Sequence, residues 1–493
     1  MRRIMGMITL LTVLLLTGAR PAGAQVRLSV GAEPNLATST FVFRTDFNGD
    51  GFADLAMGAP GEDLGSAIDA GAVNVFYSTG TRLASGSQAL VQGNPEAGDR
   101  FGAALAVGNF NGDNFTDLAV GAPGEDLFAG ADAGAVNVFF GSSRGLGPSS
   151  QLLRQDHQET GDHFGATLSA ERITDDAFFD LVVGAPGENV GGIVDAGAAN
   201  VFPNRIGTLS SFSTKTLLQG NPEAGDRFGT DLVADFFTAD TFAEVVVGAP
   251  GENVGGIVDA GAANGFTNTT GVLPGTSTQT LLQDNPEAGD QFGAALTTGG
   301  FGSFFTDLVI GAPGENVGGI VDAGAANFFP DRSASLPTVS TQTFLQDNPE
   351  PGDHFGAALT AGPFNGVGLH DLVVGAPGEN VGSIVDAGAA NVFYGGDDAV
   401  PSVSDQTLLQ DNVEAGDRFG AALTVGFFSD PSQSFVDLAV GAPGENVGAT
   451  VDAGAANVFY HTTSSGRLPG TSDQTLLQSS IETGDQLGAA MQR

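Results

Sequence analysis

The chain is predicted to be all-β, built from seven units of four antiparallel strands. Three observations predict it. First, the pentapeptide Gly-Ala-Pro-Gly-Glu recurs at Gly58, Gly121, Gly184, Gly248, Gly311, Gly375 and Gly441, stepping by 63, 63, 64, 63, 64 and 66 residues. A fixed period of this kind signals a repeat architecture rather than the several domains that 493 residues would otherwise suggest. Second, the apolar runs within each unit are short, alternating or continuous, and are bounded by Gly, Asp, Asn or Pro. Third, no stretch of the repeats has the length or the 3.6-residue period of a helix.

The second unit shows the four strands. They are Phe101–Val107, Asp117–Val120 leading into the Gly-Ala-Pro turn, Gly134–Phe140 and Gln151–Leu153. The same runs recur in every later unit. Seven such units can stack in a line or close into a ring, and closure removes the two exposed edges that invite aggregation. The final unit ends in Leu487–Met491, a copy of the Phe-Gly-Ala-Ala-Leu strand that the first unit lacks in clear form. That strand can complete the first unit and lock a ring. Thr40–Arg44 competes for the same place, which would leave the last strand as the start of an eighth unit.

Ahead of the repeats, residues 1–24 read as a secretory signal. Arg2-Arg3 precede a short apolar core, Ile8–Leu16, and Ala22-Gly23-Ala24 forms a cleavage site. The apolar run is far below the ~20 residues that span a bilayer, so no membrane span is expected. Residues 25–40 form a short leader, and residues 41–493 hold the seven repeats.

Composition narrows the function. The formal charge is −40, with 57 acids against 17 Lys and Arg. Such a field repels phosphate backbones, so nucleic acid is excluded as a partner. There is no Cys, which removes disulfides, zinc–thiolate sites and thiol nucleophiles, and there is no Trp. No nucleophile-elbow, phosphate-loop or zinc-protease motif is present.

The assembled motif, Phe-Gly followed by Asp-x-Asn-x-Asp-Gly-x-x-Asp-Leu-x-x-Gly-Ala-Pro and then Gly-Ala-Val-Asn-Val-Phe, resembles the FG-GAP repeat of the integrin α-chain head. The resemblance covers about residues 41–490. It implies a seven-bladed β-propeller of four-stranded antiparallel blades, closed by the C-terminal strand. It also implies Ca²⁺ in the loop joining the first two strands of a blade.

Asp46, Asn48, Asp50 and Asp54 have the spacing of such a loop, with Gly51 allowing the turn and Phe52 offering its carbonyl. Hard cations take six to eight oxygens, and positions one, three and five of the loop turn three oxygen side chains inward. The second unit offers Asn109, Asn111, Asp113 and Asp117, with two carboxylates in place of three. The other five loops depart further and are expected to be metal-free or very weak. The final acid of each loop is Asp in six units and Glu244 in the fourth, and its expected task is to cap the turn.

A second acidic pattern runs through the repeats. An Asp follows each GAPGE Glu by seven residues, and Glu-x-Gly-Asp precedes each Phe-Gly strand. Both sets lie on turns at one end of an up-and-down meander, so they should share the face opposite the calcium loops. They either cap glycine-rich turns and set blade register or collect cationic ligands.

Five His, at 157, 163, 354, 370 and 461, are read as surface residues. The Phe-Gly strands, which should line a central channel, show Ala, Leu, Thr and Gly and no acid, base or nucleophile. The chain is therefore expected to be no enzyme but a secreted or cell-surface, monomeric, calcium-stabilised scaffold. Its partner would be an extracellular protein or glycan. A propeller hydrolase or lyase and a structural surface component are the alternatives.

Overall fold

The computed structural model divides the chain into two units, 1–38 and 39–493. It describes residues 45–493 other than 128–129, 149, 175, 177, 239–240, 303–305, 332–335, 367–368, 397–399, 430–434 and 462–465. The secretory signal, the leader and the Thr40–Arg44 run lie outside the described residues.

Among the described residues there are twenty-eight strands, grouped in seven four-stranded antiparallel sheets, and no helix. Blade two is representative. Its order from the axis outwards is Ala104–Gly108, Asp117–Ala122, Ala135–Phe139 and Ser150–Leu153. The connections between successive strands run over 109–116, 123–134 and 140–149 and carry the Gly, Asp, Asn and Pro that bound each run. The inner strands touch one another in an unbroken cycle, so the sheets form a closed ring. The fold is the seven-bladed propeller that the period implies.

Closure follows the first of the two expected routes. Blade one takes its inner strand, Ala490–Met491, from the far end of the chain, where Gly58 pairs with Ala490 and Met57 with Met491. Gln492 strengthens the join. Its Oε1 accepts from the Ala56 N–H at 2.8 Å, and its Nε2 donates to the Asp54 carbonyl at 2.9 Å.

The core lies between blades, not inside them. Phe164, Leu168, Leu181 and Val183 of blade three pack against Ala106, Phe110, Val136 and Val138 of blade two. The middle strands are buried along their whole length, which is why Asp117–Ala122 and its copies read as continuous apolar runs. Six blades stack the Phe of the Phe-Gly pair on the Phe that ends the third strand, as in Phe101–Phe139 at 5.9 Å between centroids. Leu487 takes the Phe position in blade one.

The two glycines that name the motif meet across the blade junction. A Cβ on Gly121 would stand 2.0 Å from the carbonyl oxygen of Gly165 in the next unit. Only a glycine allows that approach. The same approach recurs in all seven Gly-Ala-Pro turns.

Candidate functional site

The loop 46–54 folds around Asp46. Its Oδ1 accepts from the N–H groups of Gly49 and Asp50, and its Oδ2 from that of Gly51 at 2.8 Å. Asn48 Oδ1 accepts from Asp50 N–H at 2.8 Å and Asp50 Oδ1 from Phe52 N–H at 3.0 Å. Gly49 and Gly51 take φ of 73° and 91°, the left-handed values that this tight path demands. Asp46, Asn48 and Asp50 thus share one small loop at the surface.

Loop two satisfies itself instead. Asn109 Nδ2 donates to the Asp113 carbonyl, and Asn111 Nδ2 donates to Asp113 Oδ2 at 2.9 Å. Amide hydrogens here engage the oxygens that a cation would otherwise take. Among the described residues no three His, Cys, Asp or Glu side chains converge into a metal-holding group.

Asp54 and Asp117 stand apart from the exposed loop oxygens. Asp54 is fully buried, accepting from Phe47 N–H at 3.0 Å and from Ser78 N–H at 2.9 Å. Asp117 does the same with Phe110, Asn111 and Gly141. Burial pushes both carboxyls up to about 7 against those stabilising N–H contacts. The pattern extends to loops with no calcium spacing. Asp180 accepts from Ile173, Thr174 and Asn204, and Glu244 from Phe237 and Thr238. The last acid of each loop thus ties the turn between first and second strands to its own blade, as the capping expectation requires.

The axial wall is not the acid-free surface that the repeat consensus suggests. Glu171 and Asp235 end the inner strands of blades three and four, Thr167–Glu171 and Leu232–Asp235. They stand where four other repeats carry Gly108, Gly299, Gly362 and Gly426. Asp235 accepts from Thr298 Oγ1 and from Phe236 N–H, both at 2.7 Å. Burial, and then the charge of Asp235, raise Glu171 to about 7. Asp231, at an Ala position of the consensus, accepts from Thr167 Oγ1 at 3.1 Å and from Leu296 N–H at 2.7 Å. Arg493, beyond the closing strand of blade one, reaches Asp231 of blade four and forms an ion pair with it. These groups break the sevenfold sameness on one side of the axis.

One further reading is adjusted. His461 is not at the surface: it is 3% exposed and stacks on Phe435 at 4.3 Å between centroids.

The acidic turns share one end of the molecule as expected. Gly98 N–H donates to the Ile68 carbonyl and Arg100 N–H to that of Asp69. The seven Asp that follow GAPGE all take φ near 50°, a left-handed position that Asp tolerates better than most residues. Between neighbouring blades these turns leave shallow grooves. One of about 430 Å³ is lined by Asn285, Glu287, Glu315, Asn316 and Thr343.

Comparison with known proteins agrees with this geometry. The FG-GAP repeat family matches residues 39–76 and 101–139. The chain is 40% identical over 153 residues to integrin alpha-PS5 of Drosophila melanogaster, covering 30% of this chain and 14% of that one. It is 36% identical over 152 residues to human integrin alpha-IIb, covering 29% and 14%. It is 37% identical over 148 residues to the phosphatidylinositol-glycan-specific phospholipase D of Bos taurus, covering 29% and 18%. The chain therefore spans less than a fifth of the length of these relatives. A solved structure from Bacteroides uniformis, assigned as a 6-phosphogluconolactonase, superposes over 86% of this chain and 97% of its own with a TM-score of 0.50. Its identity is 10%, so it speaks for the fold alone.

These findings correct one expectation. The chain was expected to be no enzyme, on the grounds of uniform blades and an acid-free axis. A similar stretch occurs in a protein named for phospholipase activity, and the axis carries Glu171, Asp231 and Asp235. Sameness of repeats does not exclude catalysis. What the sequence builds is a seven-bladed β-propeller, matched by the FG-GAP repeat family over two stretches and similar over part of its length to integrin α chains.

Proposed function

We propose that this chain is an exported, calcium-stabilised propeller whose faces bind an extracellular protein or glycan. The observation that carries the reading is the 46–54 loop, where Asp46, Asn48 and Asp50 gather oxygen donors on a turn anchored by backbone N–H groups. The donor set is hard and anionic, which fits Ca²⁺, and the Phe52 carbonyl adds a fourth ligand, while Asp54, expected to close the shell, is turned inward to the N–H groups of Phe47 and Ser78. Loop two, with Asn109, Asn111, Asp113 and Asp117, is the weaker partner because its own amides cover Asp113. Export rests on residues 1–24. Among the described residues no helix is long and apolar enough to cross a membrane.

Melting temperature measured against added Ca²⁺ and a chelator tests the metal. Ca²⁺ should raise it in the native chain, barely in an Asp46→Ala/Asp50→Ala variant, and nearly as much as native in Asp113→Ala. No shift in the native chain would refute calcium stabilisation. Glycan-array and pull-down screening with the full chain test the binding role.

A second reading, a propeller hydrolase or lyase, is favoured by one feature. Glu171 and Asp235 are neighbouring carboxyls at the ends of two adjacent inner strands, and burial raises both, a setting that acid–base chemistry uses. A Glu171→Gln variant that hydrolyses or eliminates a panel of ester, lactone and glycan substrates as the native chain does would remove this reading.

A further inference from the structure

Each junction between blades sets two carboxyl groups beside each other, the Asp fully buried and the Glu, in all but one junction, half-buried. One is the Asp of a Glu-x-Gly-Asp turn, and the other is the Glu of the GAPGE that follows it. All seven of these Asp, at 99, 162, 226, 290, 353, 417 and 485, are fully buried. In each, Oδ2 accepts from the N–H of the Glu three residues before, and Oδ1 has no donor.

A single Gln amide serves both acids. Gln283 Nε2 donates to Asp290 and, at 3.1 Å, to Glu315 Oε2. Gln155, Gln346, Gln410 and Gln478 repeat the arrangement with their own pairs. Two carboxyl groups reached by one nitrogen are close neighbours. Asp226, Asp290 and Asp353 lie beside Glu252, Glu315 and Glu379, and each Asp raises its Glu neighbour. Two carboxylates carry no hydrogen between them, so a proton held by the pair is what can reach the donorless Oδ1 of the Asp.

No basic group supplies the missing charge in those three. The groups facing them are Glu223, Glu287 and Glu350. Elsewhere Asp63 and Glu482 face Glu62, Glu414 faces Asp417, and Asp156 and Glu159 face Glu188. Glu96 and Asp126 face Asp99. Among these contacts the basic groups are Arg154 beside Glu125 and His163 beside Asp162. Among the described residues there are three ion pairs, and none involves a junction acid.

We propose that the blade junctions are proton-binding sites, each a carboxyl–carboxylate pair sharing one hydrogen taken from solvent, so that acidification tightens the ring. Burial raises both members, and the pair holds the proton jointly. Burial first, and then the neighbouring Asp, raise Glu315 and Glu379 to about 8 and Glu252 to about 7. These lie above the 4.5 of an unfolded Glu, so the folded ring binds more protons than the open chain. That part of the stability is full below 4.5, falls as pH rises above it and is gone once pH passes the folded values of about 7 to 8. A metal ion in the same place would have to displace the Gln N–H that already points at both carboxyls.

The test uses the full chain and a Glu252→Gln/Glu315→Gln/Glu379→Gln variant, whose amides carry hydrogen at every pH. Infrared spectra of the native chain at pH 7 should show a protonated-carboxyl band that weakens in the variant. The native melting temperature should fall between pH 6 and pH 8, and the variant should lose roughly three-sevenths of that fall. Absence of the band in the native chain overturns the proposal even if the variant fails to fold. A variant with the full native pH slope overturns it too. If Na⁺ or Ca²⁺ at pH 8 removes the slope from the native chain alone, a cation rather than a proton fills the junction, and the proposal fails.

Discussion

Ring closure should hinge on Leu487. This residue is fully buried among Leu55, Met57, Phe76, Leu476 and Met491, and it is the one large anchor leading into a two-residue closing strand. The other blades anchor the same position with Phe, and their inner strands run to four or five residues. Leu487→Ala removes three carbons, a methine and two methyls, from a packed site and leaves a cavity, a change that typically costs about 2–5 kcal/mol. A single-domain fold holds roughly 5–15 kcal/mol in all. The loss should also be local. Once Leu487 lets go, the Gln492 bonds to Ala56 and Asp54 go with it, and Leu55–Ala59 becomes an unpaired edge. The variant should therefore unfold at lower urea, be cut by protease within 478–493, and form higher oligomers through the bare edge. Phe164→Leu, made at the equivalent position of blade three, is the control. It should cost less, because Leu still fills most of the site. A Leu487→Ala penalty under about 1 kcal/mol with unchanged proteolysis would show that closure is held elsewhere, and the reasoning would be wrong.

Two other substitutions probe the frame. Gly121→Ala should destabilise by about 3 kcal/mol, because its Cβ would strike the backbone oxygen of Gly165 and no side chain can move aside; chemical denaturation measures it. Asp180→Ala should cost about 3 kcal/mol by stranding the buried N–H groups of Ile173, Thr174 and Asn204, whereas Asp180→Asn should cost less because one carboxamide oxygen still accepts. Equal losses in the two Asp180 variants would mean that charge, not hydrogen bonding, holds the turn.

The architecture was legible because the repeat makes every signal sevenfold. The glycine pair, the short strands and the terminal Leu487–Met491 copy each point to a closed ring, and each is where it was expected. The chemistry was less legible for the same reason. Reading by consensus averages out Glu171, Asp231 and Asp235, which matter because they replace Gly or Ala in single repeats. A position-by-position comparison of the seven Phe-Gly strands would have found them. The burial of Asp54 and Asp117 was hidden differently. Spacing places an acid on a loop, but whether its oxygens face solvent or the backbone of Phe47 and Ser78 depends on a third strand 24 residues on. His461 shows the same limit, since its stacking partner Phe435 comes from the preceding loop of the blade.

Blade one borrows its inner strand from residues 490–491, so the unit that repeats in the chain and the unit that stands in the ring are out of step by one strand. Like a belt, the molecule carries its buckle in two parts, three strands of one blade at one end and the fourth at the other. A duplication or loss of any single repeat leaves both parts intact, and the enlarged or reduced ring can still be fastened. Propellers of this kind can therefore change circumference by whole blades, while a cut that takes only the final strand leaves seven repeats and no ring.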